Sequence, residues 1–455
     1  MTVLTEKAFH AFNEQLPGRV SLPGDDRYLA AINIWAKPAN DVAPRAIVHC
    51  PTAGDVQAAI QVARDRDLPV SVRGGGHDWA GRALCNGIVI DLSEMRSVVI
   101  SADRRTATIF GGARAADVTA VTDPLGLAAV AGSASAVGMT GLTLGGGYGP
   151  LIGRFGLALD NVAAAQVVLA DGSIVCADPA NNTELFWALR GGGGNFGVVT
   201  AMRHRLHDLP SVHSGLLVFP FSEAKVVIER CIALMGVMPD ELTAQIGLVA
   251  DPNGTVAVML IPTWCGLPDQ GEAQLAPFLK LGTLLAGKIE RKSYGALLAT
   301  FDPYIVNGMR AVMETCWLPA LDADSIDTFI SAMETAVSPG CAIVTHEFKG
   351  AASRVAEGAS AFGLRRDHVL VEALATFPDR SNMMDEARHR RWARATRDAF
   401  ATALPGGYPN LLDRNDRDRA ASSYGNNAGR LVEAKRRYDP DNFFSSAIPL
   451  PALGG

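Results

Sequence analysis

The sequence has seven cysteines but no C-x-x-C pair, which leaves out zinc-ribbon and thioredoxin-type motifs. They stand singly at Cys50, Cys85, Cys176, Cys231, Cys265, Cys316 and Cys341. An odd, scattered set reads as reduced, mostly buried thiols of a cytoplasmic protein. No apolar run approaches the ~20 residues that span a bilayer. The first residues, MTVLTEKAFHAFNEQLPGRV, lack the basic start and apolar stretch of a secretory leader. Charged residues make up only 19% of the chain and the net charge is -6. That balance argues against nucleic acid or an anionic membrane as partner. There is no G-x-x-x-x-G-K-[ST], hence no P-loop. The stretch HRLHDLPSVH holds His204, His207 and His213 without a flanking carboxylate pair, so it reads as a solvated connector and no metal site is expected.

What the chain does have is glycine, 46 residues of it, gathered in three places: residues 74–76, 138–156 and 191–197. Glycine lets a backbone turn tightly or press against a ligand, and main-chain amides in such turns form anion-binding nests. Three clusters together suit one long, anionic, planar cofactor. Gly192, Gly194 and Gly197 do satisfy G-x-G-x-x-G, but that fingerprint must follow a strand and open a helix, whereas here the β-branched VVT follows.

At 455 residues two domains are expected. AIVHCP and LPVSVR read as strands flanking a helix capped by Asp55, and VAAAQVVLADGSIVCAD reads as a hairpin turning at Asp171-Gly172. After about residue 210 the glycine clusters stop. Alternating apolar segments and the helical EAKVVIERCIALMG then suggest an antiparallel sheet with helices on one face. A further helix near residue 381 has Met384, Ala387, Trp392, Ala395 and Ala399 as its expected apolar stripe.

RGGGHDWAG, GIVIDLSEM, GLTLGGGYG, GLALDNV, LADG, LFWALRGGGGNFGVVT and KRRYDPDNFF occur in this order. As a set they resemble the berberine bridge enzyme-like family, flavoproteins of the vanillyl-alcohol-oxidase/PCMH-type FAD-binding fold. The resemblance implies an α+β, two-domain protein. Its split FAD-binding domain would comprise residues 1–210 and 411–455, around a substrate-binding domain of residues 211–410. It also implies FAD, bonded through its 8-methyl group to His77. A second link in many members comes from a cysteine at the position held here by Ala134, so a single covalent bond is expected. Around the flavin the matching residues are Arg73, Gly74, Gly75, Gly76, Asp78 and Gly81 in the first cluster. In the second they are Gly138, Thr140, Gly141, Gly145, Gly146 and Gly149, and in the third Asn195, Gly197 and Val198, with Asn427 near the C-terminus. Val137 matches the position that gates oxygen, where valine accompanies oxidases.

Glu372 in VLVEALAT matches the family's catalytic base, and a carboxylate among apolar residues needs a partner or a task. Trp79 matches a position facing the substrate, Tyr148 follows the GGG of the second glycine cluster within reach of the flavin face, and Asn410, with Tyr408 beside it, matches a position near the flavin; all four are expected substrate contacts. His346 and Glu347 neighbour each other on a predicted strand, so only one can face the cavity; His346 is the expected substrate contact. The ending FFSSAIPLP departs from the family's Asn-rich pattern and leaves the last contacts unassigned.

The implied reaction is hydride transfer from a small alcohol or amine to flavin, with O2 reoxidising it to H2O2, in a cytoplasmic monomer or homodimer. The same residues also fit a flavin-bearing binding or resistance protein that sequesters or reoxidises a toxic molecule, or a flavin dehydrogenase unreactive to oxygen.

Overall fold

The computed structural model describes residues 16–38, 42–251, 253–378, 383–414 and 416–452; of the first twenty residues, read above as lacking a secretory leader, the first fifteen lie outside them. Short apolar runs between glycines or polar turns become buried strands. Ala46–His49 and Ile88–Asp91 are buried at every position. With Val70–Arg73 they form a parallel array, edged by the antiparallel Val20–Ser21. Covering both faces is what parallel strands require, and the helix Ala53–Asp65 covers one of them. Its cap differs from expectation. Thr52 is the N-cap, and Asp55 sits three residues inside as its partner in a capping box. Asp55 N donates to Thr52 Oγ1 while Asp55 Oδ2 accepts from Thr52 N, so two orphan amides are satisfied instead of one.

A second, antiparallel sheet orders Ile174–Ala177, Val162–Val168, Val198–Arg205, Thr106–Phe110 and Val98–Ile100. The expected hairpin is its edge, with Gly172 at φ +83° in the turn. The third glycine cluster follows the helix Thr183–Gly192, which kinks at Arg190 and Gly191, and opens the strand Val198–Arg205. That is the reverse polarity of a dinucleotide fingerprint.

The histidine stretch is sheet and not a solvated connector. His204 is 0% exposed on that strand with neither ring nitrogen partnered among the described residues, and burial pushes it down to about 4. The reason is period-two alternation: Met202 and His204 point inward, Arg203 and Arg205 outward. His207 and His213 lie on the short strands His207–Asp208 and Val212–Ser214.

The third sheet is the largest, nine strands among the described residues, and almost wholly antiparallel. From one edge to the other run Glu290–Lys292, Val212–Ser214, Val256–Trp264, Leu242–Ala250, Cys341–Phe348, His368–Phe377, Met309–Leu318 and Ala36–Lys37, with Leu217–Pro220 paired to Val256–Trp264. Ala36–Lys37 comes from the N-terminal part of the chain and is the parallel member.

The helices Ala224–Met235, Ala323–Glu334 and Met383–Asp398 pack on one face around Val227, Ile228, Phe329 and Trp392. The last of these helices buries a different stripe from the one expected: His389, Trp392, Ala393, Thr396 and, just beyond it, Phe400, while Met384 is 80% exposed and Ala387, Ala395 and Ala399 also face solvent. Helical spacing selects positions regardless of polarity. His389 and Thr396 are tolerated inside because each is satisfied locally, His389 by Asp385 O and Ser338 Oγ, Thr396 by Trp392 O. The opposite face of the sheet looks toward the glycine loops.

Candidate functional site

Between the glycine loops and that open sheet face lies a cavity of about 420 Å³. Its first wall exists because two loops touch through main chain alone. A Cβ on Gly75 would stand 2.5 Å from Gly138 N, and Gly76 turns at φ +71°. This contact sets His77 beside Val137 and Gly138 on the cavity surface. The imidazole stacks on Trp35, centroids 4.6 Å apart and planes 11° from parallel. Burial, aided by the Arg114 guanidinium and opposed by Asp78, pushes His77 down to about 4. The ring is therefore neutral at pH 7 and keeps a nitrogen lone pair, the form a nucleophile needs. Asp78 itself pairs with Arg82 at 2.7 Å.

Side chains from the large sheet make the second wall. His368–Phe377 is an interior strand, between Cys341–Phe348 and Met309–Leu318. Leu370, Glu372 and Leu374 line the cavity, whereas Val371, Ala373 and Ala375 enter the helix-covered core. Glu372 Oε1 lies 3.2 Å from His346 Nε2 on the adjoining strand. Glu347 does not line this cavity: it accepts from Ala244 N, and burial raises its pKa. Met313, opposite Leu374 in register, adds an apolar contact.

Two tyrosines complete the wall with opposite habits. Tyr408 Oη accepts from Gly147 N at 2.8 Å and from Asn410 Nδ2 at 3.0 Å. The Asn410 orientation is set by its bond to the carbonyl of Leu142. With both acceptor positions filled, the Tyr408 proton is left for a ligand, and burial holds that phenol up at about 12. Tyr148 also lines the cavity, but its hydroxyl is committed. His368 Nδ1 donates to Arg366 O, burial pushes that imidazole down to about 3, and its Nε2 therefore accepts the Tyr148 proton at 2.7 Å. Tyr148 offers the cavity a ring face.

Of the residues expected at the flavin, Gly74, Gly75, Gly76, His77, Asp78, Gly138, Thr140, Gly141, Gly197 and Val198 line the cavity. So do Val137, Ala134, Trp79, Tyr148, His346, Glu372, Tyr408 and Asn410. Seven stand behind the wall instead. Arg73 is turned to Asp91 in a buried ion pair of 2.8 Å. Gly81, Gly145, Gly146 and Gly149 press against Pro38, Asn410, Tyr408 and Ala131 O respectively; their missing side chains serve packing. Asn195 ties Gly192 O to Ile448 O, and Asn427 bonds Ser360 O and Phe362 O.

Conversely, Trp35, Met313, Leu370 and Leu374 line the cavity although no motif pointed to them, as do Ser446, Ala447 and Ile448 of the atypical ending. Only alternation around Glu372 carries a signal, and it reaches Leu370 and Leu374 alone.

The cavity suits a flavin dinucleotide. Thr140 Oγ1 and Trp79 Nε1 are buried in its lining with no partner among the described residues. A Cβ built on Gly141 or Gly194 would meet no atom, and both line the cavity. Residues 44–178 match the family described as FAD binding domain, and residues 407–451 the one described as berberine and berberine like. The FAD-linked oxidoreductase aurO of Gibberella zeae is 30% identical over 413 residues, 88% of this chain and 79% of that protein. The (R)-6-hydroxynicotine oxidase of Paenarthrobacter nicotinovorans is 29% identical over 449 residues, 94% and 95% of the two chains. The crystal structure of 6-hydroxy-D-nicotine oxidase from Arthrobacter nicotinovorans superposes with a TM-score of 0.85 at 29% identity, covering 94% of this chain and 96% of the other.

These findings define an FAD-linked oxidoreductase, and related oxidases act on small molecules. The chain belongs to the berberine bridge enzyme-like family, with its PCMH-type FAD-binding fold.

Proposed function

We propose that this enzyme is an oxidase that holds one FAD covalently through His77 and oxidises a small alcohol or amine. The observation that carries the reading is the shared cavity: His77 on the glycine wall, and the Glu372–His346 pair on the sheet wall. The flavin, when bound, supplies a hydride acceptor that O2 can reoxidise with release of H2O2. Among the glycine loops, the amides of residues 74–76, 138, 141 and 194 would cradle it. A single link is favoured because Ala134 holds the second attachment position and none of the described cysteines lines the cavity. This assigns cofactor binding to residues 1–210 and 411–455 and substrate binding to residues 211–410.

On the substrate side Glu372 takes the proton from a hydroxyl or amine nitrogen, or orients an ammonium group. His346, 3.2 Å away, steadies the carboxylate. Tyr408 donates its free O–H to the substrate's heteroatom. Met313, Leu370, Leu374 and Trp79 exclude water and favour a compact apolar or aromatic skeleton. Val137, three residues past Ala134, controls oxygen access.

The test is the intact mass of acid-denatured, washed protein, together with peroxide release on turnover with alcohols and amines. The reading predicts polypeptide plus one FAD and stoichiometric peroxide. The plain polypeptide mass would remove the tether. Reoxidation of dithionite-reduced protein by air over hours, not seconds, would replace the oxidase by a dehydrogenase.

A further inference from the structure

Trp35 lines the cavity, yet its surroundings tie it to His77 more than to any substrate. Its indole lies nearly parallel to the imidazole, centroids 4.6 Å apart and planes at 11°. Its amide donates to Gly76 O at 2.9 Å, so the chain on either side of the stack is joined by a main-chain bond one residue before His77. Both neighbours of Trp35 are anchored: Ile34 and Ala36 are 0% and 1% exposed. Beyond them Gly308 N donates to Ile34 O, Asn307 Nδ2 donates to Asn33 O, and Ala36 pairs with Met309 at the edge of the large sheet. The main chain that carries the indole is thus fastened to the edge of the large sheet, whereas the imidazole rides on a loop of three glycines with few rotational limits of its own.

Attachment of a flavin to an imidazole is sensitive to direction. A ring nitrogen must present its in-plane lone pair to the 8-methyl carbon, and a tilt of the ring carries that lone pair off line. An aromatic face pressed flat against the imidazole removes tilt and leaves rotation in the ring plane.

We propose that Trp35 is a positioning residue for flavin attachment, holding the His77 ring in the plane from which it bonds the cofactor. The inference rests on the reading of His77 as the covalent anchor. In the bond-forming step one imidazole nitrogen joins the 8-methyl carbon, and one methyl C–H bond and one imidazole N–H bond break. The two electrons and two protons released reduce the ring system, and O2 removes them as H2O2, which restores the oxidised cofactor.

The experiment follows attachment, not turnover. Full-length wild type, Trp35→Leu, Trp35→Phe and His77→Ala are produced under riboflavin starvation and mixed with FAD. Acid-precipitable flavin and intact mass are then followed in time, with flavin retained on native desalting as a check that the cradle binds. Trp35→Leu removes the flat face and leaves a smaller apolar side chain, and Trp35→Phe restores a flat face at reduced size. Trp35→Leu should bind FAD as well as wild type but attach it about tenfold more slowly or worse, with Trp35→Phe in between.

Equal attachment rates for wild type and Trp35→Leu, both binding FAD, would overturn the proposal. So would a Trp35→Leu defect confined to the KM for substrate. A wild type that binds FAD but never gains its mass would instead overturn the His77 reading beneath it, and the His77→Ala trace shows what that looks like.

Discussion

The two walls of the cavity are made of different material. The glycine wall presents mostly main chain, and its loops meet at contacts such as Gly75 on Gly138 that leave no room for a methyl group. The sheet wall presents side chains, one from every second residue of strands whose alternate residues sit in a helix-covered core. A wall of main chain is fixed by what it excludes. The sheet wall can change one residue at a time, because strand alternation separates the cavity face from the core face. On the proposed reading, cofactor binding and substrate choice thus rest on parts with different tolerance to substitution.

That contrast can be broken at several points. The largest effect is expected for His77→Ala: covalent flavin should vanish from the intact mass, while the glycine loops still retain reversible FAD. On the opposite wall, Glu372→Gln should slow flavin reduction by about 10³-fold, within the span of general base catalysis, and leave reoxidation unchanged in stopped-flow traces. Equal slowing of both half-reactions would strip Glu372 of its role.

Acid should act through the glycine half as well. His204 is held neutral by burial, at about 4, whereas an unfolded histidine titrates near 6.5. A depressed pKa means that the unfolded chain binds the extra proton first. The stabilisation is complete above about pH 6.5 and is lost as pH falls toward 4, worth about 3 kcal/mol. Denaturant titrations at pH 7 and pH 4 should show this loss, and His204→Leu should reduce it.

Next comes Gly75→Ala, which drives a Cβ into the Gly138 backbone and should cost about 2 kcal/mol in the same titrations. The smallest effect on stability, within about 0.5 kcal/mol, belongs to Gly141→Ala, whose Cβ meets no atom. It should nonetheless weaken FAD binding. If Gly141→Ala binds FAD normally, the open space beside it is not part of the cradle.

Much of the site is legible in the order of the residues. His77 stands out because three glycines precede it, and Glu372 because a carboxylate interrupts VLVEALAT. The opposed directions of His346 and Glu347 follow from strand alternation. Other features are hidden for definite reasons. Seven residues matched to flavin motifs lie outside the cavity lining; four of them are glycines, and a glycine needed for packing and one needed for a ligand look alike in a sequence. Trp35 sits in the undistinguished segment NIWAKP, and its partner is 42 positions away. The misplaced stripe on the helix Met383–Asp398 arises because His389 and Thr396 are polar, and only their local hydrogen bonds admit them to the core.

From the residues alone follow the strand–helix–strand opening, the hairpin at Asp171-Gly172, the absence of a Rossmann turn and the place of the histidine behind three glycines, because each rests on short-range backbone preference or on neighbours in the chain. The folded chain alone decides that His77 lies flat on Trp35, that Glu372 meets His346, and that Tyr408 keeps a proton free while Tyr148 gives its own away. Those depend on distances between residues far apart in sequence, set by strand register and by where two loops without side chains can touch.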